Sequence, residues 1–173
     1  MTGRICGTGS YVPARIVDNE ELANLVDTND AWIRERTGIA RRHLAEQETT
    51  SDMAARAAKK ALEQAGISPG EIELILVATS TPESIFPCIA CEVQRIIQAE
   101  RAACFDLNAA CSGFLFALQT AQAYIQSGSY KTVLVIGADS MSHVVDWSDR
   151  STCILFGDGA GAAVLRRAES GLY

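Results

Sequence analysis

Cys111 is the residue whose surroundings most favour chemistry. It lies in Ala102-Ala-Cys-Phe-Asp-Leu-Asn-Ala-Ala-Cys-Ser-Gly-Phe114. Ala103–Leu107 reads as a short buried strand, the small residues after it as a tight turn, and the run from Phe114 as a helix that stops near Gly128. A thiol on such a strand-to-helix turn sits beside backbone N–H groups that lack intrahelical partners, at the positive end of the helix dipole. Both features favour thiolate over thiol, and the thiolate is the nucleophile in covalent catalysis. The same position also suits a small cysteine that only packs.

A second group lies upstream. Thr28–His43 is the most basic stretch of an acidic chain, with Arg34, Arg36, Arg41, Arg42 and His43 close to Trp32. Trp32 and Arg36 stand four apart and share a face if the segment is helical. A flat ring beside a guanidinium can cradle a purine by stacking and its phosphates by paired hydrogen bonds. A solvated helix face with a half-buried anchoring Trp is the competing reading.

Other motifs carry less. Cys88-Ile-Ala-Cys91 has redox spacing, but the intervening Ile-Ala gives no reason for a tuned pair, so coincidence is the favoured reading. A zinc site is discounted, since only His43, His143 and scattered cysteines could serve as ligands. Gly157-Asp-Gly-Ala-Gly161 resembles a phosphate loop but leads into a strand, so close backbone packing is its expected use. Gly3, Gly7 and Gly9 invite a nucleotide-loop reading that the following Tyr11-Val-Pro does not support. His143 is a candidate base for Cys111, but it lies in an irregular polar loop and nothing in the sequence aims it there.

The elements needed to position these residues are legible in order. Arg4–Val12 reads as an opening strand, Asp18–Val26 as a short capped helix, and Thr50–Gly66 as an amphipathic helix with Pro69 beyond it. Glu73–Thr79 and Thr132–Asp139 are apolar runs typical of strands covered on both faces. A helix is expected from about Cys88 to Gln98, and a last strand at Ala162–Leu165. Alternating strands and helices imply an α/β fold with a largely parallel sheet flanked by helices. The chain of 173 residues, 48% apolar and 21% charged, is long enough for one domain with a real core. Its net charge of −6 argues against broad nucleic-acid binding. The start Met1-Thr-Gly-Arg-Ile-Cys is unlike a secretory leader, and no apolar run is long enough to span a bilayer, so no membrane association is expected. Six cysteines in this setting point to reduced thiols in a cytoplasm.

Taken together, several blocks resemble the thiolase-like condensing enzymes, and most closely the β-ketoacyl-acyl-carrier-protein synthase III family. They are Gly7-Thr-Gly-Ser-Tyr-Val-Pro13, Asp30-Ala-Trp-Ile-Arg-Glu-Arg-Thr-Gly-Ile39, Phe86-Pro-Cys-Ile-Ala-Cys91, Phe105–Phe114, Asp149-Arg-Ser-Thr152 and Phe156–Leu165. The resemblance implies a layered αβαβα fold of two βαβα halves, of which this chain is the first, residues 1–173. It implies that Cys111 is the acylated nucleophile and that its backbone N–H helps hold the thioester oxyanion. It assigns Trp32 and Arg150 to the adenine of coenzyme A, Arg36 to a phosphate and Thr28 to the adenine ring. Phe86 would reach across a homodimer to close the partner's acyl pocket. The Cys88–Cys91 pair would fall on a helix packed near that interface. The substrates implied are acyl-coenzyme A and malonyl-acyl-carrier protein, with no tightly bound cofactor and no metal. The family's catalytic His and Asn belong to the second half, and neither His43 nor His143 matches that His. A half sheet with an uncovered apolar face should be poorly soluble alone, so the C-terminal half is an expected partner. Two other readings share this half. One is a polyketide-type acyltransferase that moves the group from Cys111 to another acceptor, and the other is a non-catalytic scaffold half-subunit.

Overall fold

The computed structural model of the protein describes residues 1–169. In chain order the elements are β1 (Thr2–Tyr11), β2 (Arg15–Asp18), α1 (Asn19–Ala23), α2 (Asp30–Thr37), β3 (Arg41–Leu44), α3 (Thr50–Ala65) and β4 (Leu74–Ala78). They continue with α4 (Ile89–Ile97), β5 (Ala103–Leu107), α5 (Gly113–Gln126), β6 (Thr132–Ser140), α6 (Arg150–Cys153) and β7 (Asp158–Ala168). Five strands form one sheet in the order β1-β7-β6-β4-β5, and β2 pairs with β3 in a separate hairpin. β4 is parallel to β5 and β6, whereas β7 is antiparallel to both of its neighbours. Four strands therefore run one way and β7 alone runs against them.

The central strands are apolar on both faces because both faces are covered. β4 is buried throughout, as are the first five residues of β6. On one face α3 and α4 build a core around Ile75, Val77, Leu134, Ile136 and Val164. On the other, α5 alone packs over Leu74, Leu76, Val133, Val135 and Leu165. A third core under α1, α2 and α6 joins Val17, Leu22, Ile33, Leu44, Cys153 and Ile154 into a small lobe.

The expected helix at Thr50–Gly66 forms with a full capping box, in which Thr49 and Asp52 bond each other's backbone N–H, and Gly66 closes it in the left-handed region. Ala57, Ala61 and Ala65 face β1, which lets the helix lie very close to that strand. A Cβ on Gly7 would come within 2.4 Å of the Ala61 carbonyl oxygen, and one on Gly9 within 2.2 Å of that of Ala57. Gly7-Thr-Gly9 is thus a helix-docking surface. Residues 158–161 of the glycine-rich run become the start of β7, which is longer than the strand expected from its apolar residues alone.

Two expectations need correction. Ala103–Leu107 is an edge strand whose residues are exposed to half-buried, because β4 covers only one side of it. Arg42, counted with the basic face, points inward. It is 5% exposed and donates to Asn19 Oδ1 at 2.8 Å and to the Val17 and Ile154 carbonyls at 3.3 Å each. The alternation Arg41-Arg42 across β3 turns one guanidinium to solvent and the next into the small lobe.

Candidate active site

The parallel strands β4, β5 and β6 end at the same edge of the sheet, where ligands of open α/β sheets commonly bind. Cys111 is exposed at this edge. It sits in a single 3₁₀ turn, Ala110–Ser112, that leads into α5. The turn is shaped by local bonds. Ala110 takes a positive φ of 47°, and its N–H donates to Asn108 Oδ1 at 3.2 Å. Ser112 N–H donates to the Ala109 carbonyl at 3.1 Å. No side chain caps α5. Gly113 packs closely here: a Cβ would lie 3.1 Å from that of Ala78 at the end of β4, so a neighbour would have to give by a few tenths of an ångström.

Beside Cys111 is an open hollow of about 260 Å³. Its walls are Ala78, Phe114, Gly137, Ala138, Asp139 and the glycine-rich start of β7. Small residues keep it open, and Phe114 lies over Gly137. Two side chains that the motifs did not single out tie its rim together. Asp139 Oδ1 accepts from the Ser80 N–H at 2.7 Å and the Thr81 hydroxyl at 3.0 Å. Asn108 Oδ1 also accepts from the Ser80 hydroxyl at 3.2 Å, linking the ends of β4, β5 and β6. Short polar residues at the C-terminal ends of apolar strands are the signal that could have found them.

The histidines lie elsewhere. His43 Nδ1 meets the Pro13 carbonyl at 2.7 Å, and His143 Nδ1 meets the Ser140 hydroxyl at 3.2 Å. Neither lines the hollow.

The small lobe gathers the second set of predicted residues. α2 starts on Asn29, whose side chain caps the Trp32 N–H at 2.9 Å, and ends on left-handed Gly38. Arg36 stands over the Trp32 ring with Cζ 4.3 Å from its centre, and Arg150 does so at 4.7 Å. Arg150 is also held by the Asp27 carbonyl, to which Nη1 donates at 2.9 Å. The Thr28 hydroxyl is buried and has no hydrogen-bond partner among the described residues. A ring with two guanidiniums over it could take a flat, anionic ligand by stacking and by paired hydrogen bonds. Each flat group needs about 3.5 Å of stacking distance, so a base inserted between Trp32 and Arg150 requires Arg150 to swing away from the ring.

Phe86 stands on the loop after β4 and is 89% exposed, beside Ile85 at 78%. Cys88 caps α4, and its sulfur lies 3.4 Å from that of Cys91. Burial pushes the Cys88 thiol up to about 11 and the Cys104 thiol up to about 12.

Comparison with known proteins places the fold. A solved 3-oxoacyl-[acyl-carrier-protein] synthase III from Aquifex aeolicus superposes with a TM-score of 0.96 at 52% identity, over 97% of this chain and 55% of that one. The priming β-ketosynthase of the R1128 polyketide pathway superposes with a TM-score of 0.95 at 42% identity, over 97% of this chain and 51% of that one. The architecture is therefore that of the thiolase-like condensing enzymes. The β-ketoacyl-[acyl-carrier-protein] synthase III of Clostridium acetobutylicum is 56% identical over 162 residues, 94% of this chain and 50% of that protein. The family model described as 3-oxoacyl-[acyl-carrier-protein (ACP)] synthase III matches residues 105–172. The chain belongs to the β-ketoacyl-acyl-carrier-protein synthase III family and spans about half the length of the curated relatives it matches.

Proposed function

We propose that this chain is the acyl-accepting half of a condensing enzyme that starts fatty-acid chains in the cytoplasm. The observation that carries the reading is the exposed Cys111 on its one-turn lead-in to an uncapped α5, with the small-residue hollow beside it. An acyl-coenzyme A enters with its adenine against Trp32 and Arg150, its phosphates toward Arg36 and a ring atom on the idle Thr28 hydroxyl. The Cys111 sulfur attacks the thioester carbonyl. Negative charge on the carbonyl oxygen is held at the helix start by the Cys111 N–H, whose neighbours Ala110 and Ser112 have already spent theirs. The coenzyme A thiol leaves with a proton, and the acyl group stays on sulfur.

Condensation needs groups outside this chain. Malonyl-acyl-carrier protein loses carbon dioxide with the help of a His and an Asn from the half of the family that the chain does not span. The resulting carbanion attacks the acyl carbonyl, and the Cys111 thiolate leaves. Phe86 closes the acyl pocket of a second copy in a homodimer, a role that suits a large apolar side chain left bare on a loop. The similarity to a polyketide priming synthase favours one second reading, in which the same acylated cysteine serves another acceptor.

The test uses this chain assembled with the segment spanning the rest of its relatives. Radiolabelled acyl-coenzyme A should leave one equivalent of thioester on the protein, abolished by Cys111→Ala and released by malonyl-carrier protein as a β-ketoacyl product. Stable label that malonyl-carrier protein cannot discharge would favour the other acceptor.

A further inference from the structure

We propose that Cys88 and Cys91 form a dithiol–disulfide site in the first turn of α4, distinct from the acyl-accepting cysteine. Three observations meet here. The two sulfurs are 3.4 Å apart, in van der Waals contact and both half-buried. The backbone already holds the cysteines in one turn, since the Cys91 N–H donates to the Cys88 carbonyl at 3.0 Å. Closure therefore needs side-chain motion and no rearrangement of the helix. The third observation concerns Asp106 on β5. Its two carboxylate oxygens each accept one N–H from the start of α4, Ile89 and Ala90, both at 2.8 Å.

That carboxylate sets the character of the pair. In oxidising dithiols, a thiolate takes the anion position at the helix start, which stabilises the reduced form and makes the disulfide easy to open. Here Asp106 already fills that position, and its charge opposes a thiolate beside it. The reduced form gains nothing, so the disulfide, once made, resists reduction. The pair is a slow, reducing dithiol and not a rapid exchange catalyst.

Hydrogen peroxide is a sufficient oxidant. One thiolate attacks an O–O oxygen, giving a sulfenic acid and, after proton uptake, water. The second thiol attacks that sulfur, the S–S bond forms, and a second water departs. Two electrons pass from the two sulfurs to the peroxide. Cys104 is a nearby third thiol, so the partner choice is itself testable.

Trypsin makes the experiment direct, because Ala61–Arg95 carries Cys88 and Cys91 alone, while Ala102–Lys131 carries Cys104 and Cys111. The intact protein is treated with peroxide at about pH 9, where more of each thiol is ionised, then alkylated and digested. The proposal expects Ala61–Arg95 to lose both alkylation sites as an internal disulfide. Cys88→Ser or Cys91→Ser should abolish that product, and Cys104→Ser should leave it. It also expects the disulfide to persist in millimolar glutathione and open in dithiothreitol. In Asp106→Asn, the dithiol fraction in the same thiol buffer should rise about tenfold, as removing the carboxylate's charge would predict. Two alkyl groups retained on Ala61–Arg95, or a cross-link from it to Ala102–Lys131, would overturn the proposal. A disulfide opened readily by glutathione would overturn the assigned role of Asp106.

Discussion

The proposed function gives Cys111 the acyl group and Trp32 the stacked base, and each role makes a separable prediction. Trp32→Ala should raise the KM for acyl-coenzyme A about tenfold, the worth of one stacked aromatic contact at about 1.4 kcal/mol. Its effect on turnover of malonyl-carrier protein by the acylated enzyme should be small, and an equal loss in both would remove the stacking role. The thiols should also separate by reactivity. Cys111 is exposed, whereas burial holds Cys88 near 11 and Cys104 near 12. Against an ordinary thiol at 9.0, the thiolate fraction of Cys88 at pH 8 is then lower by about a hundredfold. Timed iodoacetamide labelling with peptide mapping should find Cys111 modified well before Cys88 and Cys104. The rates of those two should keep climbing through pH 10. Equal rates at pH 8 would contradict the burial.

At the scale of elements, close approach decides more than propensity. Gly9→Ala places a methyl group where the α3 backbone already lies, at 2.2 Å, so the helix must lift from β1. A loss of about 3 kcal/mol is expected in chemical denaturation, at the upper end for overpacking. Thr49→Ala removes half of the capping box and should cost about 1 kcal/mol by the same measurement. These contacts also explain what could be read beforehand. α3, β4, β5 and β6 were legible because capping residues and apolar periods are local signals. The Gly7-Thr-Gly9 run could be doubted as a nucleotide loop, but its partner, an alanine face some fifty residues on, carries no local mark. The inward turn of Arg42 was hidden for the same reason, since the Asn19 and Ile154 oxygens that meet its Nη2 are distant in sequence. At the site, Cys111, Trp32 and Arg36 stood out by residue type and by family resemblance, and Arg150 by the resemblance alone. Asn108, Asp139 and Asp106 did not, because the donors that meet their oxygens come from other elements and carry no local mark.

At the scale of the molecule, the two faces of the sheet differ. α3 and α4 cover one side, while α5 covers the other alone and leaves Leu115 67% and Phe116 56% exposed. The chain spans half of its relatives' length, and this apolar helix face suits burial against the remainder. Phe116→Glu should reduce self-association of the isolated chain in light scattering. In the assembled enzyme the same change should weaken joining of the two halves, and no effect on assembly would show that α5 stays bare. The central claim is that Cys111 alone accepts the acyl group, and adduct mapping tests it most directly. The assembled enzyme is incubated with labelled acyl-coenzyme A, digested, and the adduct located by fragmentation of Ala102–Lys131. Label on Cys111 and nowhere else is the predicted result. Label on Cys88, Cys91 or Cys104, or persistence of the thioester in Cys111→Ala, would contradict it.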